Sequence, residues 1–306
     1  MSFLADQLIG EARRRQVRLW VDSTGGLQFA GEGPALDDRF VMLLRTQARP
    51  IAAKIGAEAP DRWLRPLTGA RGDGDALLYL IPAAGAGPNA YRSWSGAAPA
   101  GLRIEAVLTP GREERFSEAP FTDVSALADR IAERILGHAD RPFGVFGHST
   151  GALVAREVTQ RLAGSTTAQR ALFVAGALPP HLMGEPGPDP TDQELLEYMN
   201  QWQGTPPELL ADTGFLSTFL PTLRADLRLF HSCRRAVSQA DRAAVPVVAF
   251  GGLQDETAPR GLCEAWRQWT AGRFTVRMVE GGHFFPVTAA QEVLGAVARE
   301  LGVPSR

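Results

Sequence analysis

The fold of this chain is decided by one stretch, Phe143-Gly144-Val145-Phe146-Gly147-His148-Ser149-Thr150-Gly151. Its first four residues are apolar or small and predict a buried strand. Residues 152–162 follow with apolar side chains at four-residue spacing, which predicts a helix. A strand that turns through Gly-x-Ser-x-Gly into a helix forms a nucleophile elbow, because the glycines permit a sharp turn and the serine hydroxyl then projects above the sheet edge. The sequence therefore predicts Ser149 as a nucleophile.

Short apolar segments alternate with helical segments on both sides of this stretch. Their continuous apolar character predicts a mostly parallel sheet that is buried on both faces, which is an α/β fold. Helices are expected at Val124–Leu136 and Leu153–Leu162. The predicted strands are Leu77–Ile81, Ile104–Leu108, Phe143–Phe146, Ala171–Ala175, Val247–Phe250 and Thr275–Val279. Residues 181–240 interrupt the alternation with a helical insertion, which is typical of a functional segment such as a lid.

Composition excludes several classes of protein. The chain has 306 residues with 44% hydrophobic and 22% charged, an ordinary globular balance. A net charge of −2 argues against a strongly basic nucleic-acid-binding surface. No apolar run reaches the roughly 18 residues of a membrane span, and the first residues do not form a signal peptide. With two cysteines and no extracellular cue, we expect a reduced, cytoplasmic protein.

The length predicts about two domains. A break in composition over residues 57–62 divides a small N-terminal domain, residues 1–58, from a larger domain, residues 62–306. The small domain reads as a helix, a hairpin around Gly25-Gly26, and two more helices, the first of them over Ala35–Arg49. This arrangement predicts a small α+β domain before the α/β domain.

A serine nucleophile requires a base and an acid. His283 follows the last predicted strand through Gly281-Gly282, so it lies at the carboxyl end of the sheet and downstream of Ser149. Asp255 follows the strand Val247–Phe250 at the same edge, and the neighbouring Glu256 is the alternative acid. The order serine, acid, histidine is that of α/β-hydrolases. The sequence therefore predicts a Ser149–His283–Asp255 triad.

The developing oxyanion needs two backbone N–H groups. We expect one from Thr150, directly after the nucleophile, and one from Ala84 in the small-residue loop Pro82–Gly87 that follows the strand Leu77–Ile81. This chemistry requires no metal and no bound cofactor. The sequence also contains no G-x-x-x-x-G-K-[ST], no H-E-x-x-H and no C-x-x-C motif.

The same loop offers an alternative interpretation. Gly85-Ala86-Gly87-Pro88-Asn89-Ala90 fits the dinucleotide-binding pattern G-x-G-x-x-A, and Glu105 lies at the spacing of a ribose ligand. However, residues 89–100 make a poor helix, so a pyrophosphate would lack a helix N-terminus. Glu105 also lies inside its predicted strand. We therefore favour the hydrolase over a nucleotide-binding oxidoreductase.

From about Trp63 to the end, the chain resembles the type II thioesterases of nonribosomal peptide and polyketide synthesis. The resemblance rests on Pro82-Ala83-Ala84-Gly85, Pro110-Gly111-Arg112-Glu113-Glu114-Arg115, Pro142–Ser149, Gly204-Thr205-Pro206, Leu223-Arg224-Ala225-Asp226-Leu227 and Gly281-Gly282-His283-Phe284-Phe285. It implies an α/β-hydrolase fold with a helical lid at about 181–240. It also implies hydrolysis of acyl thioesters on the phosphopantetheine arms of carrier proteins, which edits stalled or misloaded synthetases.

The sequence departs from this family at positions that flank the pocket. Thr150 stands where the family usually has methionine, Ala86 replaces a glycine, Ala83 replaces an aromatic residue or histidine, and Thr109 replaces leucine. These departures leave the acyl preference open. The alternatives are a product-releasing thioesterase or acyltransferase with the same acyl-enzyme chemistry, and a non-catalytic docking adaptor.

Residues 3–56 resemble the TubC-type docking domains of synthetase subunits. The resemblance rests on Arg15-Gln16-Val17-Arg18-Leu19-Trp20-Val21, the hairpin and the helix pair. It implies binding to the acidic C-terminal tail of a partner synthetase. The residues with suitable chemistry are Arg13, Arg14, Arg15, Arg18 and Trp20.

Overall fold

A computed structural model of the chain describes residues 3–21, 26–31, 33–52, 62–68, 74–202, 205 and 207–303. Its internal contacts separate two compact units, Met1–Arg62 and Trp63–Arg306. Residues 57–61 of the expected break lie outside the described residues. No helix among the described residues combines the length and the apolar character needed to cross a membrane.

The first unit is built around a two-stranded antiparallel sheet. Helix α1 (Phe3–Arg14) precedes strands β1 (Arg18–Val21) and β2 (Leu27–Ala30), and helix α2 (Asp38–Thr46) follows them. The helix predicted to begin at Ala35 begins instead at Asp38, because the carboxylate of Asp37 accepts the N–H of Phe40 and caps the helix. Of the predicted turn, Gly25 lies outside the described residues.

The second unit contains a seven-stranded sheet in the order β3-β5-β4-β6-β7-β8-β9. Strand β3 pairs antiparallel with β5, and the other neighbouring strands are parallel. The strands are β3 (Leu64–Pro66), β4 (Ala76–Ile81), β5 (Leu102–Val107), β6 (Phe143–His148), β7 (Gln169–Ala175), β8 (Val247–Gly252) and β9 (Phe274–Val279). The predicted mostly parallel sheet is confirmed, with β3 as an additional edge strand.

Helices cover both faces of this sheet. Strands β4, β6 and β8 are buried along their whole length, as expected for a sheet between two layers. One core lies under the helices at residues 124–138 and 150–162, and the other lies under the helices at residues 94–97 and 290–300. The helices of this unit before the insertion are α3 (Trp94–Ala97), α4 (Val124–His138) and α5 (Thr150–Leu162); those after it are α9 (Arg260–Ala265), α10 (Phe285–Thr288) and α11 (Ala290–Glu300).

The predicted insertion over residues 181–240 is helical. It contains α6 (Asp192–Trp202), α7 (Pro207–Leu210) and α8 (Thr213–Ser232). A small apolar cluster joins α6 to α8 through Leu195, Met199, Leu220 and Leu223. Helix α8 also packs against α4 and α5, so the insertion is anchored to the body of the unit.

Candidate active site

The nucleophile elbow forms where β6 passes into α5. Ser149 has φ 54° and ψ −124°, a conformation that non-glycine residues rarely adopt. Its N–H donates to the carbonyl of Ala175 at the end of β7 (2.8 Å), which helps to hold the turn. Backbone strain of this kind persists where the surrounding structure enforces it, and it points to function.

The two glycines of the elbow are required by close backbone contacts. A Cβ on Gly147 would lie 2.1 Å from the carbonyl oxygen of Gly151. A Cβ on Gly151 would lie 2.2 Å from the carbonyl oxygen of Ile81, the last residue of β4. The sharp turn and the contact with β4 are therefore open only to glycine at these positions.

The three residues of the predicted triad form a hydrogen-bonded line in the order Ser149, His283 and Asp255. Nε2 of His283 is 3.0 Å from Oγ of Ser149, and Nδ1 of His283 is 3.0 Å from Oδ2 of Asp255. They follow β6, β9 and β8 at one edge of the sheet, as the carboxyl ends of parallel strands must. The alternative acid, Glu256, has an exposed side chain. The arrangement can pass a proton from the serine to the histidine and orient the resulting imidazolium.

Asp255 is buried, and its charge is held by hydrogen bonds. Burial raises the pKa of this carboxyl, but hydrogen bonds from His283 and Thr257 outweigh that effect and lower the pKa below its ordinary value. Oδ1 accepts the N–H of Thr257 (3.0 Å) and its hydroxyl (2.7 Å). The Thr257 hydroxyl oxygen is also 3.0 Å from Nδ1 of His283. Thr257 was not identified from the sequence, although an aspartate that accepts the N–H two residues later is a recognisable turn.

In the loop after β4, the backbone N–H groups on either side of Ala84 donate to side chains. The N–H of Ala83 donates to the hydroxyl of Tyr91 (3.2 Å), and that of Gly85 donates to Oδ2 of Asp226 (2.6 Å). Between them, the N–H of Ala84 has no hydrogen-bond partner among the described residues. Thr150 begins α5, so its N–H also lacks an intrahelical acceptor. Neither predicted donor therefore has a hydrogen-bond partner among the described residues.

A carboxylate from the insertion fastens this loop. Asp226 on α8 accepts hydrogen bonds from both terminal nitrogens of Arg112, at 2.8 and 3.1 Å, in addition to the N–H of Gly85. Nη1 of Arg112 also donates to the carbonyl of Ala86 (3.1 Å). The side chains of Arg112 and Asp226 are 12% and 8% exposed, so the pair is shielded from water. The insertion thus contacts the loop through a buried ion pair.

A cavity of about 510 Å³ lies between the insertion and the loop after β4. It reaches Ala84 on one side and Phe284, the neighbour of His283, on the other. Ser149 is not part of its wall. Its walls are mainly apolar and include Met199, Phe215, Phe219 and Leu223. It has the character of a site for an apolar group.

The alternative dinucleotide site does not form. The chain after Gly87 continues as a four-residue 3-10 turn, Pro88–Tyr91, and the short helix α3, so no long helix directs its N-terminus at the loop. Glu105 is 2% exposed and paired with Arg103 inside β5. Among the described residues, no cluster of three or more histidine, cysteine, aspartate or glutamate side chains has the arrangement of a metal site.

Two of the arginines predicted to bind a partner have acidic neighbours within the first unit. Arg14 pairs with Glu11 (2.7 Å), and Arg15 pairs with both Glu11 (2.7 Å) and Asp37 (2.6 Å). Arg14 nevertheless keeps 72% of its side chain exposed. The side chains of Arg13, Arg18 and Trp20 lie outside what the structure describes.

Comparison with known proteins finds similar proteins over most of the chain. The sequence model of the family described as "Thioesterase domain" matches residues 76–301. "Linear gramicidin dehydrogenase LgrE" of Brevibacillus parabrevis is 34% identical over 256 residues, which are 79% of this chain and 94% of that protein. "Gramicidin S biosynthesis protein GrsT" of Aneurinibacillus migulanus is 31% identical over 235 residues, 73% of this chain and 88% of that protein.

Solved structures agree with these matches. The type II thioesterase BorB from the borrelidin biosynthetic cluster superposes with a TM-score of 0.71 at 27% identity, covering 79% of this chain and 98% of BorB. YbtT, a type II thioesterase from the yersiniabactin pathway, gives a TM-score of 0.71 at 28% identity, covering 78% of this chain and 98% of YbtT.

Proposed function

The chain belongs to the thioesterase family, and we propose that it is a trans-acting serine thioesterase that cleaves acyl, aminoacyl or peptidyl thioesters from the phosphopantetheine arms of carrier proteins. The observation that carries the proposal is the line Ser149–His283–Asp255, and it is supported by the N–H of Ala84, which has no hydrogen-bond partner among the described residues. A serine is a weak nucleophile unless a base activates it, and this line supplies one.

Each step of the proposed reaction uses a described group. The Oγ of Ser149 attacks the thioester carbonyl carbon while Nε2 of His283 takes its proton. The N–H groups of Thr150 and Ala84 hold the negative oxygen of the tetrahedral intermediate. That intermediate collapses to an acyl-serine, and the pantetheine thiol leaves with the proton from His283. Water, deprotonated by His283, then attacks the acyl-serine. The bond to Oγ breaks, Ser149 takes the proton back from His283, and the carboxylic acid leaves.

The cavity between the insertion and the loop after β4 supplies a place for the acyl chain. Helix α8 contributes Phe215, Phe219 and Leu223 to its wall, and α6 contributes Met199. The wall also includes Ala84, where the carbonyl oxygen would be held. An acyl group on Ser149 can extend from there under the insertion. We propose on this ground that the insertion is a lid whose side chains select the acyl group.

The relatives support a proposal for the biological setting. Two matched structures are described as type II thioesterases from biosynthetic pathways, and GrsT is described as a gramicidin S biosynthesis protein. We propose that this chain acts in the same kind of nonribosomal peptide or polyketide pathway, in the cytoplasm, and removes stalled or misloaded groups from carriers.

The first unit is proposed to recruit the enzyme. The exposed guanidinium of Arg14 can exchange Glu11 for carboxylates of an acidic synthetase tail, since exposed pairs of this kind contribute little stability. Replacement of Arg14 by Glu should weaken binding to a synthetic acidic peptide and leave hydrolysis of a free thioester unchanged. Equal peptide binding by both proteins would remove Arg14 from the proposal.

The test of the function uses acyl-loaded carrier proteins. The purified enzyme is incubated with carriers bearing different acyl groups, and the carrier mass is followed, with Ser149→Ala as control. We expect return to the free-thiol carrier with the wild type and a loss on the order of 10⁶-fold in the variant. Hydrolysis that persists in Ser149→Ala would exclude Ser149 as the nucleophile.

The products of the same experiment decide among the alternatives. A free acid supports hydrolysis, whereas a cyclised product or an acylated amine would identify a releasing enzyme or an acyltransferase. Failure of a fluorophosphonate to label Ser149 in folded protein would favour a non-catalytic adaptor. The relative LgrE is described as a dehydrogenase. We favour hydrolysis for this chain because, among the described residues, the glycine-rich loop leads into a four-residue 3-10 turn and Glu105 is buried and paired with Arg103.

A further inference from the structure

His148, directly before the nucleophile, is a buried histidine that the triad does not use. It is 0% exposed. Burial, assisted by the neighbouring His283, lowers the pKa of His148 to about 3. The imidazole is therefore neutral near neutral pH and offers one donor and one acceptor.

Its two contacts assign the tautomer. Nε2 of His148 lies 2.8 Å from the backbone carbonyl oxygen of His283, which can only accept. Nε2 therefore carries the proton, and Nδ1 is the acceptor. Nδ1 lies 2.8 Å from the hydroxyl of Tyr91, which must donate to it.

Tyr91 extends this series of hydrogen bonds to the loop after β4. Its hydroxyl oxygen accepts the N–H of Ala83 (3.2 Å), one residue before Ala84. The tyrosine ring is 1% exposed and packs edge-to-face against Trp94, with centroids 5.6 Å apart. Three hydrogen bonds in a row thus connect Ala83 to His283 through Tyr91 and His148, with each donor and acceptor used in the direction its chemistry allows.

This buried series of hydrogen bonds connects the loops after β4 and β9, which act together in the proposed reaction. The loop after β4 presents the N–H of Ala84, and the loop after β9 presents Nε2 of His283 to Ser149 at 3.0 Å. In the sheet, β6, β7 and β8 lie between those two strands. The hydrogen bonds therefore form a link that joins the loop after β4 to the loop after β9, although three strands separate these loops in the sheet.

We propose that Tyr91 and His148 are positioning residues. They keep the proposed oxyanion donor, the N–H of Ala84, and the proposed general base, His283, in fixed positions relative to Ser149. The proposal rests on the proposed function, since it assigns the placement of the same groups. Neither residue touches the substrate. A shift of about 1 Å in either loop is expected to slow acylation about 100-fold, because the near-attack geometry is lost.

The experiment measures acylation in two independent ways. One readout is the rate at which a fluorophosphonate labels Ser149, followed by protein mass. The other is kcat and KM for the butyryl thioester of N-acetylcysteamine. The variants are Tyr91→Phe, which removes the hydroxyl and keeps the ring, His148→Leu, which removes both contacts, and His148→Gln, which keeps a donor for the His283 carbonyl.

The matched control is Tyr79→Phe. Tyr79 lies on β4, is also fully buried, and its hydroxyl has no hydrogen-bond partner among the described residues. This variant removes the same atom from the same kind of environment without breaking the link. We expect labelling and turnover within about twofold of wild type.

We expect Tyr91→Phe and His148→Leu to slow both labelling and kcat about 10- to 100-fold with little change in KM. His148→Gln should recover part of the loss. The double variant Tyr91→Phe/His148→Leu should be no slower than the slower single variant, because the two residues act in series. Unchanged labelling rates in folded Tyr91→Phe and His148→Leu would reduce the link to core packing and overturn the proposal.

Failure of the proposed function can be distinguished from failure of the proposed link through Tyr91 and His148. If wild-type enzyme is labelled at Ser149 but hydrolyses no thioester, the thioesterase proposal is wrong while the labelling rates still test the link. If wild-type enzyme hydrolyses thioesters and the variants match it, the link alone is wrong.

Discussion

The carboxylate of Asp226 and the guanidinium of Arg112 form a two-pronged ion pair, with distances of 2.8 and 3.1 Å, that also binds the N–H of Gly85. Asp226 belongs to α8 in the insertion, whereas Gly85 belongs to the loop that presents Ala84. One side chain of the insertion therefore orients the peptide next to the proposed oxyanion donor.

Substitution of Asp226 should affect stability and chemistry together. Asp226→Ala leaves Arg112 buried without its partner, which costs about 3–5 kcal/mol of the free energy of unfolding. It also frees the N–H of Gly85, so kcat should fall about 10- to 100-fold. Asp226→Asn keeps an acceptor for Gly85 and should retain more activity. Urea unfolding and thioester turnover give the two quantities, and equal turnover of the alanine variant and the wild type would contradict the expectation.

Thr257 should matter through Asp255. Thr257→Val removes the hydroxyl that donates to Oδ1 of Asp255 and lies beside Nδ1 of His283, while it keeps the side-chain shape. We expect kcat to fall about tenfold, since the carboxylate that orients His283 loses one of its fixed contacts. Thr257→Ser retains the hydroxyl and should restore turnover. Comparable losses in both variants would assign the effect to packing.

Gly151 and Gly137 make a matched pair of glycine substitutions. A Cβ at Gly151 would meet the Ile81 carbonyl at 2.2 Å, whereas nothing lies within 4 Å of a Cβ at Gly137 in α4. Gly151→Ala should destabilise the protein by about 3 kcal/mol or more. Gly137→Ala should stabilise it by about 0.5–1 kcal/mol, because alanine favours a helix over glycine. Thermal unfolding measures both, and a neutral Gly151→Ala would contradict the close contact with β4.

His148 should leave a signature in acid unfolding. Its pKa is about 3 in the folded protein against an ordinary value of 6.5, so between these values the unfolded chain binds a proton that the folded protein does not. Stability is therefore lost as the pH falls below the ordinary value, by at most about 1.4 kcal/mol per pH unit.

The test compares how steeply the unfolding free energy changes with pH in the wild type and in His148→Gln. His148→Gln removes this titration, so its urea-unfolding free energy should fall less steeply than that of the wild type from about pH 6.5 to about pH 4. Asp255 is present in both proteins, and its lowered pKa contributes equally to each. Parallel slopes would mean that His148 is not held neutral in the folded state.

Much of the fold follows from local patterns. The buried parallel strands are recognisable because they are short apolar runs between helices, and the elbow is recognisable because Gly147 and Gly151 flank Ser149. Strand β3 escaped prediction because its three residues include Arg65 and Pro66 and form no apolar run. The start of α2 at Asp38 depends on capping by Asp37, which competes with the apolar periodicity from Ala35.

The site divides in the same way. Ser149, His283 and Asp255 could be predicted because each follows a strand whose carboxyl end lies at one edge. Their catalytic roles stay predictions that the Ser149→Ala experiment tests. The contacts of Tyr91 and Asp226 could not be predicted, because their partners are far away in the chain: 57 residues separate Tyr91 from His148, and 141 separate Gly85 from Asp226. Folding alone brings such pairs together, and no short motif encodes them.

The two proposed oxyanion donors, Ala84 and Thr150, act through the main chain. Their side chains can therefore be exchanged without deleting either N–H, provided that the backbone keeps its course. Thr150, at a position where the resemblance to type II thioesterases leads us to expect methionine, is a variation of this kind. We therefore expect that substitutions of these side chains can change the acyl preference while both proposed N–H donors remain in place.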